Sequence, residues 1–211
     1  MLELRLSHFG VAYNGTPAII DLSLTFVAGT VTAITGMYGS GKSTLLRAIA
    51  GRLRHTGNMQ ITDGDKPCTL GCISQSVPRT LVSPHMMLNQ FLHLGLMQNS
   101  WTVPADAALR LSDAMKRCGL EGCADRPLSA LSAVQMRMAE IAQLLVQKPR
   151  IILIDEPVYG RGTNAEESVL ACISKWVQDN RSIAIVASTD KDDTAGFDRG
   201  VHLEHGRLCA G

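Results

Sequence analysis

Apolar and polar residues alternate in the first part of the chain. Every second residue is apolar in the segment 2–6, and the same pattern returns in 22–26. A period of two places alternate side chains on one face, so both segments are predicted to be half-buried β-strands. Between them the turn residues Asn14-Gly15-Thr16-Pro17 predict a reversal of the chain.

The periodicity becomes helical between Pro84 and Leu120, and again between Ser132 and Gln147. The apolar runs Ile151–Ile154 and Ile183–Val186 are continuous, as expected of strands that are buried on both faces. A further helical segment, about 165–179, lies between these two runs. Strands that alternate with helices predict an α/β fold with a mostly parallel core sheet.

Composition narrows the class of protein. The chain has 211 residues, 45% of them hydrophobic, which suits one sizeable folded domain. Its formal net charge of +1 gives no electrostatic argument for a nucleic-acid partner. We see no apolar stretch long enough to span a bilayer, and the charged N-terminus does not resemble a signal peptide, so a cytosolic location is expected.

Six cysteines and two neighbouring histidines are possible metal ligands. The cysteine spacings match no standard zinc pattern, so buried or free thiols are expected in a reducing compartment. His202 and His205 lie near a predicted strand end. We interpret both as ordinary surface or core histidines.

The segment Gly36–Ser43 has the phosphate-binding pattern G-x-x-x-x-G-K-[ST]. Its glycines let successive backbone N–H groups point at phosphate oxygens. Lys42 can reach the terminal phosphates, and the Ser43 hydroxyl is suited to bind Mg²⁺. An apolar strand pattern at Val31–Thr35 precedes the loop and a helical pattern follows it, so the N-terminal dipole of the helix also favours phosphate.

Two carboxylates follow the apolar run at 151–154. Ligands of α/β sheets bind at the carboxyl ends of the strands, where Asp155 and Glu156 are predicted to lie. Asp155 is predicted to share Mg²⁺ with Ser43, through water, and Glu156 to polarise the attacking water. Alone, this acidic strand end would be weak support for a site, but together with the phosphate-binding loop it predicts phosphoryl transfer.

This order of motifs resembles that of the ATP-binding-cassette (ABC) ATPases over essentially the whole chain. The resemblance implies one domain, 1–211, with the fold of a P-loop NTPase. It implies a RecA-like core, an N-terminal antiparallel β-subdomain and a helical subdomain at about 76–135. ATP and Mg²⁺ are the implied cofactors.

The resemblance also assigns roles to single residues. Tyr13 matches the aromatic residue that stacks on adenine, and Gln75 matches the glutamine that senses Mg²⁺ and water and touches the membrane partner. The segment Leu131–Gln135 stands in the place of the family's signature, Leu-Ser-Gly-Gly-Gln. The implied nucleotide-binding residues are Tyr13, Gly36, Gly39, Ser40, Gly41, Lys42, Ser43, Thr44, Ser132 and Gln135. The implied metal-binding residues are Ser43, Gln75 and Asp155, and the implied catalytic residues are Glu156, Gln75, Lys42 and Thr189.

Members of this family act as pairs. Two ATPase domains meet head to tail, and the signature of one covers the ATP held by the other. The resemblance therefore implies a second ABC ATPase subunit, in a homodimer or a heterodimer. It also implies separate transmembrane permease subunits, and thus a cytoplasmic protein held peripherally at the inner face of the cell membrane.

Four residues depart from the family's pattern. Ala133 and Val134 replace the two signature glycines, and β-branched Val134 could hinder close approach to phosphate. Thr189 replaces the switch histidine, and its hydroxyl is shorter and never cationic. Gly162 replaces an aspartate that spans the dimer. We therefore predict intact ATP binding with slow hydrolysis in a homodimer, or hydrolysis that depends on a partner ATPase.

Several functions remain open at this point. The segment Gln75–Thr80, with Ser83-Pro84 after it, weakly resembles the corresponding loop of peptide and nickel importers, which suggests import of a peptide, a metal or a metallophore. The alternatives are an exporter ATPase for a lipid, a lipoprotein or a small protein, and a regulatory ATP-binding subunit with weak hydrolysis. Soluble ABC ATPases of DNA repair or translation fit less well, because the chain has no coiled-coil insertion, no tandem repeat and no basic character.

Overall fold

The computed structural model describes residues 1–64, 66–67, 73–74, 82–97, 103–155, 164–189 and 196–209. A four-stranded sheet forms the N-terminal part, in the order β2-β1-β4-β5, with every neighbouring pair antiparallel. Its strands are β1 (Leu2–Tyr13), β2 (Thr16–Val27), β4 (Thr56–Asp63) and β5 (Lys66–Pro67). Alternate residues of the predicted strands at 2–6 and 22–26 are buried, as a period of two requires.

A second sheet of six strands has the order β10-β9-β3-β8-β7-β6. All of its pairs are parallel except β9 with β10, which form a hairpin. The strands are β3 (Thr30–Thr35), β6 (Ile73–Ser74), β7 (Ile151–Asp155), β8 (Ile183–Ser188), β9 (Arg199–Glu204) and β10 (Arg207–Leu208). The predicted α/β fold with a mostly parallel core sheet is confirmed.

Five α-helices lie in the described part of the chain. They are α1 (Lys42–Ile49), α2 (Leu88–Leu96), α3 (Ala107–Arg117), α4 (Ala133–Leu145) and α5 (Asn164–Asn180). Two short 3-10 helices, Glu121–Cys123 and Leu128–Ala130, precede α4. Grouping of these elements into one domain, 1–211, with a helical subdomain near 76–135, stays a prediction.

The core sheet lies between two hydrophobic clusters. On β7, Ile151 and Leu153 pack toward the N-terminal sheet and α1, whereas Ile152 and Ile154 pack toward the helices α2–α5. The two central strands β7 and β8 are thus covered by apolar neighbours on both faces. This is why the sequences of β7 and β8 are almost continuously apolar, whereas those of β1 and β2 alternate.

Three local sequence features are misleading when they are considered without the fold. Residues 58–64 are typical of a hairpin, but 58–63 belong to β4, whose main partner is β1. Proline favours the first turn of a helix, yet Pro104 does not open α3; a turn follows it, in which the Ala107 N–H donates to the Pro104 carbonyl. Leu109 fits the helical spacing of apolar residues, yet it is 69% exposed because α3 turns that position away from α4.

Parallel strands bring their carboxyl ends to a single edge of the sheet. The register pairs Thr35 with Ser188 and Asp155 with Ala187, so β3, β8 and β7 end almost level. The phosphate-binding loop follows β3 at this edge, and Thr189 follows β8 between the loop and Asp155. The fold therefore gathers three predicted site elements that are far apart in the sequence.

Candidate functional site

Glycine is required at two positions of the loop between β3 and α1. A Cβ built on Gly36 would lie 2.2 Å from the Leu203 carbonyl oxygen and 2.7 Å from Ser40 Oγ. Gly41 forms the N-cap of α1 with φ of 105°, and a Cβ there would lie 2.8 Å from the Ala18 carbonyl oxygen. Only a residue without a side chain fits these sites, so the glycines keep the loop tightly curled against β2 and β9.

Lys42 is the first residue of α1 and is only 5% exposed. Its Nζ donates to the carbonyl oxygens of Gly36, at 2.6 Å, and of Met37, at 3.0 Å. The ammonium group therefore lies inside the curl of the loop. Its charge and the N-terminal end of the α1 dipole add up there, which creates a positive environment for an anion.

Ser40 supplies a second indication that the loop suits a phosphate. The residue is 5% exposed, and its Oγ is buried without a hydrogen-bond partner in the described part of the structure. A buried hydroxyl without a partner costs on the order of 1–3 kcal/mol. A phosphate oxygen held by the loop is a chemically suitable partner for it. Gly39, with φ of 80°, and Thr44, half-buried in α1, complete the predicted loop residues.

Ser43 and Asp155 meet across the sheet edge. The Ser43 Oγ donates to Asp155 Oδ1 over 2.9 Å, although 112 positions separate the two residues. Both side chains are half-buried and offer oxygen atoms. A hydroxyl beside a carboxylate is a donor set that Mg²⁺ prefers when phosphate and water complete its coordination. The residues present therefore fit the predicted Mg²⁺ site.

Two further predicted residues lie on the rim of the described structure. Thr189 is half-buried, directly after β8. Tyr13 is the last residue of β1 and is 43% exposed, opposite Thr16 in the adjoining strand. An exposed ring at a strand end is free to stack on a planar ligand.

The predicted signature residues begin helix α4. Ser132 is the N-cap: its Oγ accepts from the Gln135 N–H over 3.2 Å, and Gln135 Oε1 accepts from the Ser132 N–H over 3.0 Å. This reciprocal capping box fixes the first turn of the helix. The hydroxyl proton of Ser132 can still be donated to a ligand outside the chain. Val134 is 42% exposed, so its branched side chain stands on the outer surface of this turn.

The signature residues and the loop are supported by different parts of the fold. Helix α4 packs on α2, α3 and α5, whereas α1 packs on β7, β8 and the N-terminal sheet. Gln143 of α4 donates from its side chain to the Phe91 carbonyl of α2 over 2.9 Å. Each of the two sites is thus built on its own layer of packed elements.

The hairpin β9–β10 supports the loop on the side of β2, a role that the local sequence does not indicate. The Gly206 N–H donates to the Ser40 carbonyl over 3.0 Å, and the Gly206 carbonyl accepts from the Ile20 N–H over 2.8 Å. The sequence shows Gly206 only as a turn residue. Its hydrogen bonds to Ser40 and Ile20 form only because β2 and the loop both lie against the hairpin, and a local sequence pattern cannot predict this arrangement.

One further group of ligand-type side chains lies on this hairpin. His202, Glu204 and Cys209 place one ligand atom each within 4.8 Å of one another. Hydrogen bonds account for the cluster, because His202 Nδ1 lies 3.0 Å from Thr35 Oγ1 and the Cys209 thiol donates to Glu204 over 3.4 Å. Among the predicted site residues, Gln75, Glu156 and Gly162 lie outside the described residues.

Comparison with known proteins now places the chain in a family. The family model described as "ABC transporter" matches residues 19–159, which hold the loop, the signature segment and Asp155. The chain belongs to the ABC transporter family. The hemin import ATP-binding protein of Rhodococcus jostii is 29% identical to it over 220 residues, which cover 99% of this chain and 74% of that protein. The phosphonates import ATP-binding protein of Trichodesmium erythraeum is 30% identical and is covered over 79% of its length.

Solved structures agree on the fold. An ATP-binding cassette of an ABC transporter, crystallised in its ADP conformation, superposes with a TM-score of 0.84 over all of this chain and 90% of the other, at 21% identity. Family and fold together identify the protein as an ABC ATP-binding cassette. None of the helices that the structure describes is both long and apolar enough to cross a membrane.

Proposed function

We propose that this ABC protein binds Mg-ATP at the loop Gly36–Ser43 and hydrolyses it slowly, to drive separate membrane subunits. The observation that carries the proposal is the 2.9 Å hydrogen bond between Ser43 Oγ and Asp155 Oδ1 at the mouth of the loop. A hydroxyl and a carboxylate in direct contact beside the start of α1 are suitable ligands for Mg²⁺, which supports the proposal.

The loop supplies the phosphate site. On ATP binding, Lys42 exchanges its bonds to the Gly36 and Met37 carbonyls for bonds to phosphate oxygens, and it stays inside the positive environment at the start of α1. Ser40 gains a partner for its buried hydroxyl. The exposed ring of Tyr13 is proposed to stack on the adenine.

Mg²⁺ would be held by Ser43 directly and by Asp155 through water, with Gln75 as a further ligand. When bound, the ion neutralises charge on the β- and γ-phosphates. Glu156, the next residue after Asp155, is proposed to orient and deprotonate the attacking water. Ser132 and Gln135 are proposed to cover the ATP of the neighbouring subunit, and the capping box at the start of α4 supports this because it orders the residues concerned.

Two residues that differ from the family's pattern support slow ATP hydrolysis. Thr189 stands at the sheet edge where the family has a histidine, and a threonine hydroxyl reaches less far toward the γ-phosphate. Val134 presents a branched, exposed side chain on the face of α4 that would approach the partner's ATP. A second, different ATPase subunit with an intact signature would compensate, so a heterodimer is a proposal beside the homodimer.

The transport function rests on family membership and on the names of relatives. Proteins named as importers of hemin and of phosphonates align over most of their length, which supports import and a position on the cytoplasmic face of the membrane beside permeases. Export and a purely regulatory role remain alternatives.

Co-purification of the chain from native membranes tests these proposals. A permease must be among the subunits that co-purify, and a second, different ATPase chain is expected only if the protein forms a heterodimer.

Replacement of Asp155 by asparagine tests the metal site. The variant removes the charge but keeps the shape, so ATP binding should lose its dependence on Mg²⁺, with a decrease of about tenfold or more in the affinity for Mg-ATP. Titration calorimetry with ATP, in the presence and absence of Mg²⁺, gives both affinities. The control is Asp125→Asn, which alters an exposed carboxylate near the start of α2. Equal Mg²⁺ dependence in wild type and Asp155→Asn would contradict the proposed site.

Replacement of Thr189 by histidine tests the origin of slow turnover. The side chain of a histidine reaches farther toward the γ-phosphate than that of a threonine, and when protonated it can donate a charge-assisted hydrogen bond. Steady-state ATP hydrolysis should therefore rise by roughly tenfold. The control is Thr56→His, which places the same imidazole at an exposed position at the start of β4 and should leave hydrolysis unchanged. Unchanged hydrolysis in Thr189→His would show that another substitution limits the rate.

A further inference from the structure

Two cysteines face each other between helices α3 and α5. Cys118 directly follows α3, Cys172 lies within α5, and their Sγ atoms are 3.7 Å apart. Both are free thiols in this structure. Because 54 positions separate them, tertiary packing alone creates this pair.

The contacts around the pair hold the two helices in a defined relation. Arg117 donates to Asp179 of α5 over 2.8 Å and to Asp113 of α3 over 2.9 Å. The Arg117 guanidinium also lies 5.3 Å from the centre of the Trp176 ring. The ion pair with Asp179, together with that with Asp113, raises the pKa of Arg117, so the cation persists beside the thiols. To form a disulfide of about 2.05 Å, the two sulfurs, now 3.7 Å apart, must approach by a further ~1.7 Å.

Cys172 is the accessible member of the pair. It is half-buried, whereas Cys118 is 4% exposed. Both line a cleft of about 460 Å³, whose wall also includes Lys175 and the signature residues Val134 and Gln135. A small thiol reagent entering this cleft would meet Cys172 first.

The electrostatic environment favours the thiolate on the same cysteine. The hydrogen bond between the two thiols lowers the pKa of Cys172. Burial opposes this shift, but the positive charges of Arg117 and Lys175 reinforce it, so the pKa of Cys172 is lowered. The hydrogen bond to Cys172 and burial raise the pKa of Cys118. The pair thus consists of a thiol with a lowered pKa and a second thiol held 3.7 Å from it, which is the arrangement that thiol–disulfide exchange requires.

We propose that Cys118 and Cys172 are a reversible oxidation site for low-molecular-weight disulfides such as glutathione disulfide. The Cys172 thiolate attacks one sulfur of the reagent, which forms a mixed disulfide and releases the first glutathione as thiolate. Cys118 then loses its proton to solvent and attacks the Cys172 sulfur, which releases the second glutathione. In total, two protein thiols are oxidised to one disulfide and one glutathione disulfide is reduced to two glutathione molecules.

The disulfide would tie α3 to α5 beside the start of α4. Helix α3 packs on α4, and Val134 and Gln135 share the cleft with the two sulfurs. The cross-link should leave the loop Gly36–Ser43 untouched, because α1 is supported by other elements. This inference rests on the proposed function: oxidation restrains the movement of the signature segment, so ATP hydrolysis slows while ATP binding is kept.

Peptide mapping tests the chemistry without any nucleotide. The purified chain is incubated with glutathione disulfide, the remaining thiols are blocked, and the protein is digested with trypsin under non-reducing conditions. The expected product links peptide 118–137 to peptide 162–175, and dithiothreitol removes the link. Peptide 118–137 also contains Cys123. The link should therefore persist in Cys123→Ser and be lost in both Cys118→Ser and Cys172→Ser.

Two mapping results would overturn the proposal. One is a stable glutathione adduct on Cys172 with Cys118 still reduced, and the other is a link from Cys172 to Cys123. Turnover of the fully cross-linked protein should be lower by about fivefold or more and should recover on reduction. Unchanged turnover would overturn the restraint on the signature segment. Absence of ATP binding by the reduced chain would count against the proposed function instead, and the mapping would still decide the oxidation site.

Discussion

Replacement of Lys42 by alanine is expected to weaken ATP binding by roughly 10- to 100-fold, the effect of losing charge-assisted hydrogen bonds worth about 1.5–3 kcal/mol. The side chain is buried, and its Nζ is held inside the loop by the carbonyl oxygens of Gly36 and Met37. No other described lysine lies in this loop. Calorimetric titration with ATP measures the loss directly.

A matched control comes from the same helix. Arg47 lies in the last turn of α1 and is exposed, so Arg47→Ala removes a cation without touching the loop. Its affinity for ATP should stay within about twofold of the wild type, since exposed charges contribute little. Thermal unfolding of both variants shows whether the loop itself has collapsed. If folded Lys42→Ala bound ATP as tightly as the wild type, the nucleotide would have to lie elsewhere.

Replacement of Glu156 by glutamine is expected to reduce ATP hydrolysis by roughly 10²- to 10⁴-fold, the range that a general base contributes. The amide keeps the size of the side chain but cannot accept the proton of the attacking water. ATP binding should remain, because Lys42, Ser43 and Asp155 are unchanged. Single-turnover hydrolysis of radiolabelled ATP is the suitable measurement, since a slow wild-type rate is itself predicted.

Glu167→Gln is the control for that experiment, because Glu167 is an exposed carboxylate on α5. It should hydrolyse ATP at the wild-type rate. Wild-type turnover no faster than that of Glu156→Gln, combined with intact ATP binding, would favour the regulatory subunit over the ATPase. Fast turnover by the wild-type chain alone, lost in Glu156→Gln, would contradict the prediction that the site is weakened.

Local sequence patterns were sufficient to predict the strand, loop and helix around Gly36–Ser43. The order of strand, glycine-rich segment and helix is contained in the segment Thr30–Ile49, and each element follows from neighbouring side chains. The same holds for the start of α4, where Ser132 and Gln135 form the capping box that their spacing of three residues permits. The α/β class was also predictable, because buried parallel strands have continuously apolar sequences.

Other features could not be predicted from local sequence, because they depend on how the strands and helices pack. Leu109 fits a helical repeat, but its exposure depends on how α3 packs, which periodicity does not specify. The support of Ser40 by Gly206 joins residues 166 positions apart. Such contacts follow from strand order, and many strand orders are compatible with the same succession of apolar segments.

The sequence by itself predicted the ligand class and located the loop, because glycine geometry and the charge of Lys42 are local properties. It also determined that Val134, Gly162 and Thr189 depart from the family's pattern. Only the tertiary structure decided that Ser43 meets Asp155 at 2.9 Å and that Cys118 meets Cys172 at 3.7 Å. The physical reason is the same for both pairs: parallel strands and packed helices bring together side chains that are distant in sequence, and no short-range pattern encodes that packing.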